Sequence, residues 1–384
     1  MRVLISGSGI AGLTLAYWLH QYGHTPLVIE QAEAIRRGGY AFDFYGTGYD
    51  VAERMGLIST LQQQQIRLDA ISYMGASGKP YATLNTTLMR KVMHDRYMSL
   101  MHWTLEEALY NTIVNDVEVR YGRSLTAVKS SPEEVSVTFN DGTTEAYDLL
   151  VGADGVHSNT RHLVFRAEKH FQHYLGYTFA SYPLPDHYGI GRNWNNYIEP
   201  GRLASAYCSN NDGEIITFLI WKTANQDYIP REQRLAHLHQ VFAGMGWITS
   251  RLLDDVSDST AIFMDTVTQI HMPTWHSGRV VLVGDACGCP TLISGQGASM
   301  AMGGAYLLAK ALHETFNYED AFLRYEQQVR PHVEKRQKKT QDSAKRFDSN
   351  SLLGLCIQQL MMRILLRDSF IRLLRQHFGG ESIL

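Results

Sequence analysis

With 384 residues and 45% of them apolar, the chain can bury a large core and is long enough for two domains and an appendage. A net charge of −3 offers nothing to a polyanion and disfavours nucleic acid. Four cysteines, Cys208, Cys287, Cys289 and Cys356, are too few and too scattered for a disulfide framework or a metal site, and no apolar run is long enough to cross a bilayer.

The first element is a short apolar strand, Val3-Leu4-Ile5, followed by Gly7-Ser8-Gly9-Ile10-Ala11-Gly12 and then by the helical pattern of Leu13 to Leu19. Glycines at a strand-to-helix turn have separate uses. Gly7 allows the tight turn, Gly9 lets the backbone approach a pyrophosphate, and Gly12 lets helix and strand pack closely. The helix N-terminus then offers unpaired N–H groups to phosphate. A second strand, Pro26-Leu27-Val28-Ile29, ends in Glu30, eighteen residues past Gly12, where a carboxylate accepts hydrogen bonds from a ribose and argues against a 2′-phosphate. These features predict a Rossmann-like site for FAD or NAD, with Gly7, Gly9, Ala11, Gly12 and Glu30 as contacts.

Residues 66–94 alternate polar and apolar around the turn Gly75-Ala76-Ser77-Gly78-Lys79-Pro80 and read as antiparallel strands. An apolar strand, Asp148 to Val151, then runs into the small-residue turn Gly152-Ala153-Asp154-Gly155 and a helix start at Ser158 to Arg161. Between 170 and 275 the strand-like runs are aromatic and β-branched: Tyr174 to Phe179, Arg202 to Tyr207, and Ile215 to Trp221. Another strand, Val280 to Val283, ends in Gly284-Asp285, with the glycine-rich loop Pro290 to Ala298 and a long helix behind it. From about 335 the chain turns basic (Lys335, Arg336, Lys338, Lys339, Lys345, Arg346). It continues with apolar residues at helical spacing from Leu352 to Leu374, an amphipathic pattern suited to packing back on the protein or to lying on a membrane surface.

The glycine turn, the Asp154-Gly155 segment and the Gly284-Asp285 segment, in that order, resemble the three fingerprints of the class A, single-component aromatic hydroxylase family of flavoprotein monooxygenases. The resemblance runs over most of the chain and implies an α/β fold: a Rossmann-like FAD-binding domain, an inserted, mostly antiparallel β-sheet substrate domain, and a C-terminal helix. The boundaries expected are 1–70, 95–165 and 275–335 for the FAD domain, 71–94 and 166–274 for the substrate domain, and 336–384 for the helical segment. It implies that Asp154 serves FAD and a transiently bound nicotinamide cofactor, and that Asp285 holds the ribityl chain. It also implies that the loop carrying Gly295, Gly297 and Ala298 passes beside the flavin ring. A helix N-cap is the bland alternative for either aspartate. No catalytic side chain is required, because the flavin carries the hard chemistry.

Within that family, Arg36-Arg37-Gly38-Gly39-Tyr40-Ala41-Phe42-Asp43, the strand start at Gly201-Arg202 and the approach from Phe263 to Trp275 look like the tetracycline-inactivating monooxygenases. That resemblance implies a nicotinamide-phosphate contact at Arg36, with Arg37 beside it, a flavin contact at Asp43, and substrate contacts at Arg202 and Phe218. Solvent-facing charges are the alternative for the three arginines. His102 stands where a flavin-contacting arginine is usual, Gly288 replaces a usual histidine, and Leu292 a usual proline. The resulting expectation is a cytoplasmic, monomeric monooxygenase holding FAD and using NADPH or NADH and O₂ on a phenolic or fused-ring small molecule, with tetracycline-type antibiotics as the specific candidate. A flavin reductase or dehydrogenase, and a flavin-bound protein without turnover, are the alternatives.

Overall fold

The structure is a computed structural model that describes residues 1–384 except 36, 37, 166–169, 210, 212, 258, 348–358, 361, 362 and 364–381. The chain opens with β1 (Arg2–Ser6), α1 (Ile10–Gln21), β2 (Thr25–Glu30) and β3 (Ala41–Tyr45), then α2 (Thr47–Arg54), α3 (Ile58–Gln64), β4 (Ala70–Met74), β5 (Pro80–Asn85) and α4 (Thr86–Val92). It continues with β6 (Tyr97–Met101), α5 (His102–Ile113), β7 (Glu118–Tyr121), β8 (Leu125–Ser130), β9 (Val135–Phe139), β10 (Thr144–Tyr147), β11 (Leu149–Gly152) and α6 (Asn159–Phe165). Four longer strands follow: β12 (Gln172–Pro185), β13 (Asn193–Glu199), β14 (Arg202–Cys208) and β15 (Glu214–Lys222). The last part holds α7 (Arg234–Val241), α8 (Thr249–Asp254), β16 (Phe263–Ile270), β17 (His276–Ser277), β18 (Val280–Leu282), α9 (Asp285–Gly288), α10 (Gly297–Glu314) and α11 (Tyr318–Phe347).

Strands β17-β18-β11-β1-β2-β7 form one sheet, parallel throughout except for the short edge strand β17. Its central strands are apolar on both faces, as a parallel sheet covered on both sides requires. Val3, Ile5, Val28 and Val151 face the core built with α1, α5, α10 and α11, whereas Leu4, Leu27, Ile29 and Leu150 face Val135, Val137 and Phe139 of the antiparallel β8–β10 sheet.

The second large sheet has the order β16-β12-β15-β14-β13-β4-β5 and is antiparallel apart from the β13–β4 pair. It too has two apolar faces. The outer one, with Ala204, Ala206, Leu219 and Trp221, packs on Leu238, Phe242, Leu252 and Leu253 of α7, α8 and the turn after α7. The inner one, with Phe179, Tyr207, Ile216 and Phe218, packs toward Ala41 of β3 and Met101 of β6. Strands β3 and β6 pair as a separate two-stranded ribbon, Asp43 opposite Ser99 and Tyr45 opposite Tyr97, so the ribbon lies between the two large sheets. The mixed α/β architecture read from the sequence is thus the one observed.

One expectation changes. The new character expected at residue 336 falls inside the single helix α11, which runs unbroken from Tyr318 to Phe347. Val329, Val333, Gln337 and Thr340 are all buried, at the i, i+4 and i, i+3 steps of a face that packs against the body of the protein. The amphipathic run expected from Leu352 to Leu374 lies outside the described residues, apart from Gln359, Leu360 and Arg363. Among the described residues no helix is long and apolar enough to cross a membrane.

Candidate active site

The glycine turn after β1 has no room for a side chain at Gly7 or Gly12. Gly7 has φ +111°, and a Cβ there would meet the Ala153 carbonyl oxygen at 2.5 Å. A Cβ on Gly12 would collide with the Gly7 carbonyl oxygen, whereas Gly9 faces open space apart from Glu106 at 3.6 Å. Ala11 packs against Gly284, where a Cβ would stand 2.9 Å from its own. Helix α1 has Gly9 at its N-cap and no side-chain cap, so its first N–H groups are left for an anion. Beside it, Glu30 Oε2 accepts from Ser8 N at 3.1 Å and Ser8 Oγ at 3.2 Å, and its Oε1 accepts from Ala32 N at 2.9 Å. The carboxylate is thereby aimed along the rim of the turn. This is a cradle for a dinucleotide.

The second motif carries more structure than chemistry. Asp154 Oδ2 accepts from Thr160 N and Thr160 Oγ1, both at 2.8 Å, and Oδ1 accepts from Ser158 Oγ. The carboxylate thus receives the first turn of α6, while Ser158, the residue directly before that helix, takes the N-cap position, its Oγ accepting from Arg161 N at 3.0 Å. What the motif does join is the fold. The guanidinium of Arg161, fully buried, donates to Val156 O at 2.7 Å and to Ala286 O at 3.0 Å. His157, further out, contacts both carboxylate oxygens of Asp265 on β16 at 3.0 and 3.1 Å.

The third motif lies across from the first. Asp285 opens α9 after Gly284, and its charge is felt at His102, Tyr40 and Cys289. Burial pushes the Asp285 carboxyl up, against the Cys289 thiol and His102, which stabilise its charge. His102 opens α5, with Nδ1 at 3.4 Å from Glu106 Oε1. Burial works against the imidazolium, but Glu106 and Asp285 outweigh it and the net shift is upward, toward the charged form. The imidazole at the position of the usual arginine is therefore biased toward its charged form. The loop then passes through Leu292, which packs on the inner face of the large sheet, and Gly295 at φ +61°. Helix α10 begins at Gly297 without a side-chain cap, leaving the N–H groups of Gly297 and Ala298 and the positive helix end open.

Above these groups lies the inner sheet face. Tyr40 packs between His102, Phe179 and Phe218 with ring centroids at 6.0, 5.6 and 5.7 Å, so Phe218 does stand on this face. Asp43 is on the ribbon, accepting from Tyr97 OH at 2.6 Å and Ser99 Oγ at 3.4 Å. Burial pushes its carboxyl up and these two donors pull it down, with burial the stronger. Arg202 is elsewhere, contrary to the substrate contact expected of it. It pairs in register with Trp221 of the outer face, donates to Val241 O at 2.9 Å and Ala243 O at 3.1 Å, and bonds Glu199 Oε2 at 2.7 Å. Strand alternation turns it away from Phe218. Arg36 and Arg37 lie outside the described residues.

A family model described as an FAD binding domain matches residues 1–340. The chain belongs to the FAD-dependent monooxygenases. It is 30% identical to a flavin-dependent monooxygenase of Legionella longbeachae over 343 residues, which cover 88% of this chain and 87% of that one. Among solved structures it resembles the tetracycline destructase Tet(55), at 26% identity and TM-score 0.84 over 100% of this chain and 98% of that one. It also resembles the tetracycline destructase Tet(51), at 28% identity and TM-score 0.82 over 95% and 97%.

FAD fits the residues present: a turn packed so tightly at Gly7 and Gly12 that neither takes a Cβ yet open at Gly9, a carboxylate at Glu30, an acid and an imidazole biased toward its charged form at Asp285 and His102, and an open helix N-terminus at Gly297. Sequence reasoning did not single out Tyr40, Glu106, Arg161 or the His157–Asp265 contact of this monooxygenase. Only spatial neighbourhood reveals them, except that Glu106, four residues after His102, is legible as an i, i+4 pair.

Proposed function

We propose that this monooxygenase uses NADPH or NADH and O₂ to hydroxylate a phenolic or fused-ring compound, with tetracycline-type molecules as the specific substrate class. One observation carries the reading: the Asp285–His102 end of the nucleotide cradle lies against an aromatic cluster of Tyr40, Phe179 and Phe218 on the inner face of the large sheet. A flat ligand would stack there with little lost side-chain freedom. The similarity to two tetracycline destructases along nearly the whole chain supports the same class.

Bound FAD would supply the activation of O₂ and the transfer of one oxygen atom. The protein's part is binding, orientation and exclusion of water. The turn Gly7–Gly9 and the start of α1 would hold the pyrophosphate, Glu30 the ribose, and Asp285 with His102 the chain leading to the ring. The N–H groups of Gly297 and Ala298 would face the ring's carbonyl oxygens, where positive helix ends stabilise developing negative charge. Asp43, on the ribbon, would be a further flavin contact. Arg36 would take the nicotinamide cofactor's phosphate. The sheet would close the site over the substrate and exclude water, as oxygen transfer to an organic ligand requires.

The test is direct. FAD-loaded protein is incubated with NADPH and tetracycline under air, with NADPH oxidation and O₂ uptake followed together and products weighed by mass spectrometry. The expected product is heavier by one oxygen. NADPH consumed with only hydrogen peroxide formed would reject tetracycline as substrate, and NADPH consumed without O₂ uptake would move the protein to the reductases.

A further inference from the structure

The inner face of the large sheet carries an amide that is held from one side only. Asn196 on β13 is 8% exposed. Its Oδ1 accepts from Trp194 Nε1 at 3.1 Å and from Ser205 Oγ at 2.6 Å. An indole N–H can only donate, so the amide oxygen must face it, and the orientation of the amide follows. The other end, Nδ2, has no partner among the described residues.

Its surroundings are rigid. Trp194 stacks on Tyr207 with centroids 4.1 Å apart, and the Tyr207 hydroxyl accepts from Ala41 N at 2.9 Å, which ties the sheet to the ribbon. Register places Asn196 opposite Tyr73 of β4 on one side and Ser205 on the other, and Ser205 opposite Phe218. Across from it the ribbon presents Asp43, whose charge reaches the Tyr73 hydroxyl. An unpaired N–H₂ of a residue only 8% exposed therefore lies on the same face as Phe218, two strands away, with both acceptor sites of the amide oxygen already taken.

We propose that Asn196 is a specificity-determining residue that donates through Nδ2 to a ring carbonyl or enolate oxygen of a planar fused-ring substrate lying against Phe218. The assignment rests on the substrate class proposed above. A site with a fixed donor and no spare acceptor discriminates by hydrogen bonding, because a ligand lacking the oxygen leaves the donor buried and unpaired. Trp194 and Ser205 are positioning residues: they hold the amide oxygen and so aim the nitrogen.

The experiment uses FAD-loaded protein and two probes of one shape, 1-hydroxyanthraquinone, which has ring carbonyls, and 1-hydroxyanthracene, which has none. Each is titrated by its perturbation of flavin absorbance. The wild type should prefer the quinone. Asn196→Asp keeps the shape and the acceptor for Trp194 and Ser205 but removes the donor; it and Asn196→Ala should weaken quinone binding about tenfold while leaving hydroxyanthracene binding and FAD occupancy unchanged. Equal weakening of both probes would reduce Asn196 to a structural role and overturn the assignment, as would an undiminished preference for the quinone. If FAD is bound but neither probe nor tetracycline perturbs its spectrum in the wild type, the fused-ring substrate class falls and this assignment falls with it, a result distinct from the two that overturn Asn196 alone.

Discussion

The guanidinium of Arg161 donates to the carbonyl oxygen of Ala286 at 3.0 Å, joining the segment after β11 to the segment after β18. The same side chain holds Val156 O at 2.7 Å, so one buried cation fastens two of the three fingerprint motifs together. Arg161→Met should keep the bulk and leave both carbonyl oxygens without that partner. The expected cost is about 1–3 kcal/mol, read as a fall in the melting temperature of the FAD-loaded enzyme together with weaker FAD binding. A melting curve within a degree or two of wild type would show that neither bond matters.

His102 ties cofactor retention to pH. Its folded-state pKa is raised by Glu106 and Asp285 against the opposing effect of burial, so the imidazolium is favoured in the folded protein. A raised folded pKa means stability that is fully present below the ordinary histidine value and is lost as pH rises through the folded one. FAD should thus be held most firmly on the acid side of neutrality and dissociate more readily as the pH is raised above it. His102→Arg, charged throughout that range, should flatten the dependence, and His102→Gln should bind FAD weakly at every pH. FAD dissociation constants measured between pH 6 and 9 give the answer.

Gln337 of α11 reaches into the body of the protein, donating through Nε2 to Ile270 O at 2.7 Å and Cys289 O at 3.0 Å. Gln269 of β16 returns the contact, donating to Gln337 O at 3.0 Å. Gln337→Leu should cost about 1–3 kcal/mol through carbonyl groups left buried without their donor. Because Cys289 leads into the loop proposed to pass beside the flavin ring, the same variant should, on that proposal, divert a larger share of nicotinamide oxidation to hydrogen peroxide. Thermal unfolding and a peroxide assay check the two effects separately.

Gly7 combines φ +111° with a Cβ site 2.5 Å from the Ala153 carbonyl oxygen. Gly7→Ala should therefore push β1 away from the segment after β11 and yield protein that purifies colourless, whereas Gly23→Ala, at a turn with open space around it, should keep its flavin. Flavin absorbance per mole of purified protein distinguishes them.

The sequence by itself determined the elements whose cause is local. A glycine turn between an apolar strand and a helix, an acid at the end of the next strand, and two further strand-to-turn motifs in order are enough to place the nucleotide cradle, because each rests on backbone constraints within a few residues. Aromatic and β-branched runs likewise announce the strands of the large sheet. Which side of a strand faces the site was decided only in three dimensions. Arg202 and Leu203 are neighbours in sequence, yet alternation puts Arg202 among the partners of Glu199 and Val241 and Leu203 on the face of Phe218, and register with β15 settles which is which. Asp154 was legible as part of a strand-to-turn motif, but that its oxygens accept from Ser158 and Thr160 at the start of α6 is seen only in the structure. Arg161 with Ala286, and Tyr40 with Phe218, meet across more than a hundred residues of chain. Such contacts arise from the packing of the ribbon and two sheets, and no local pattern announces them.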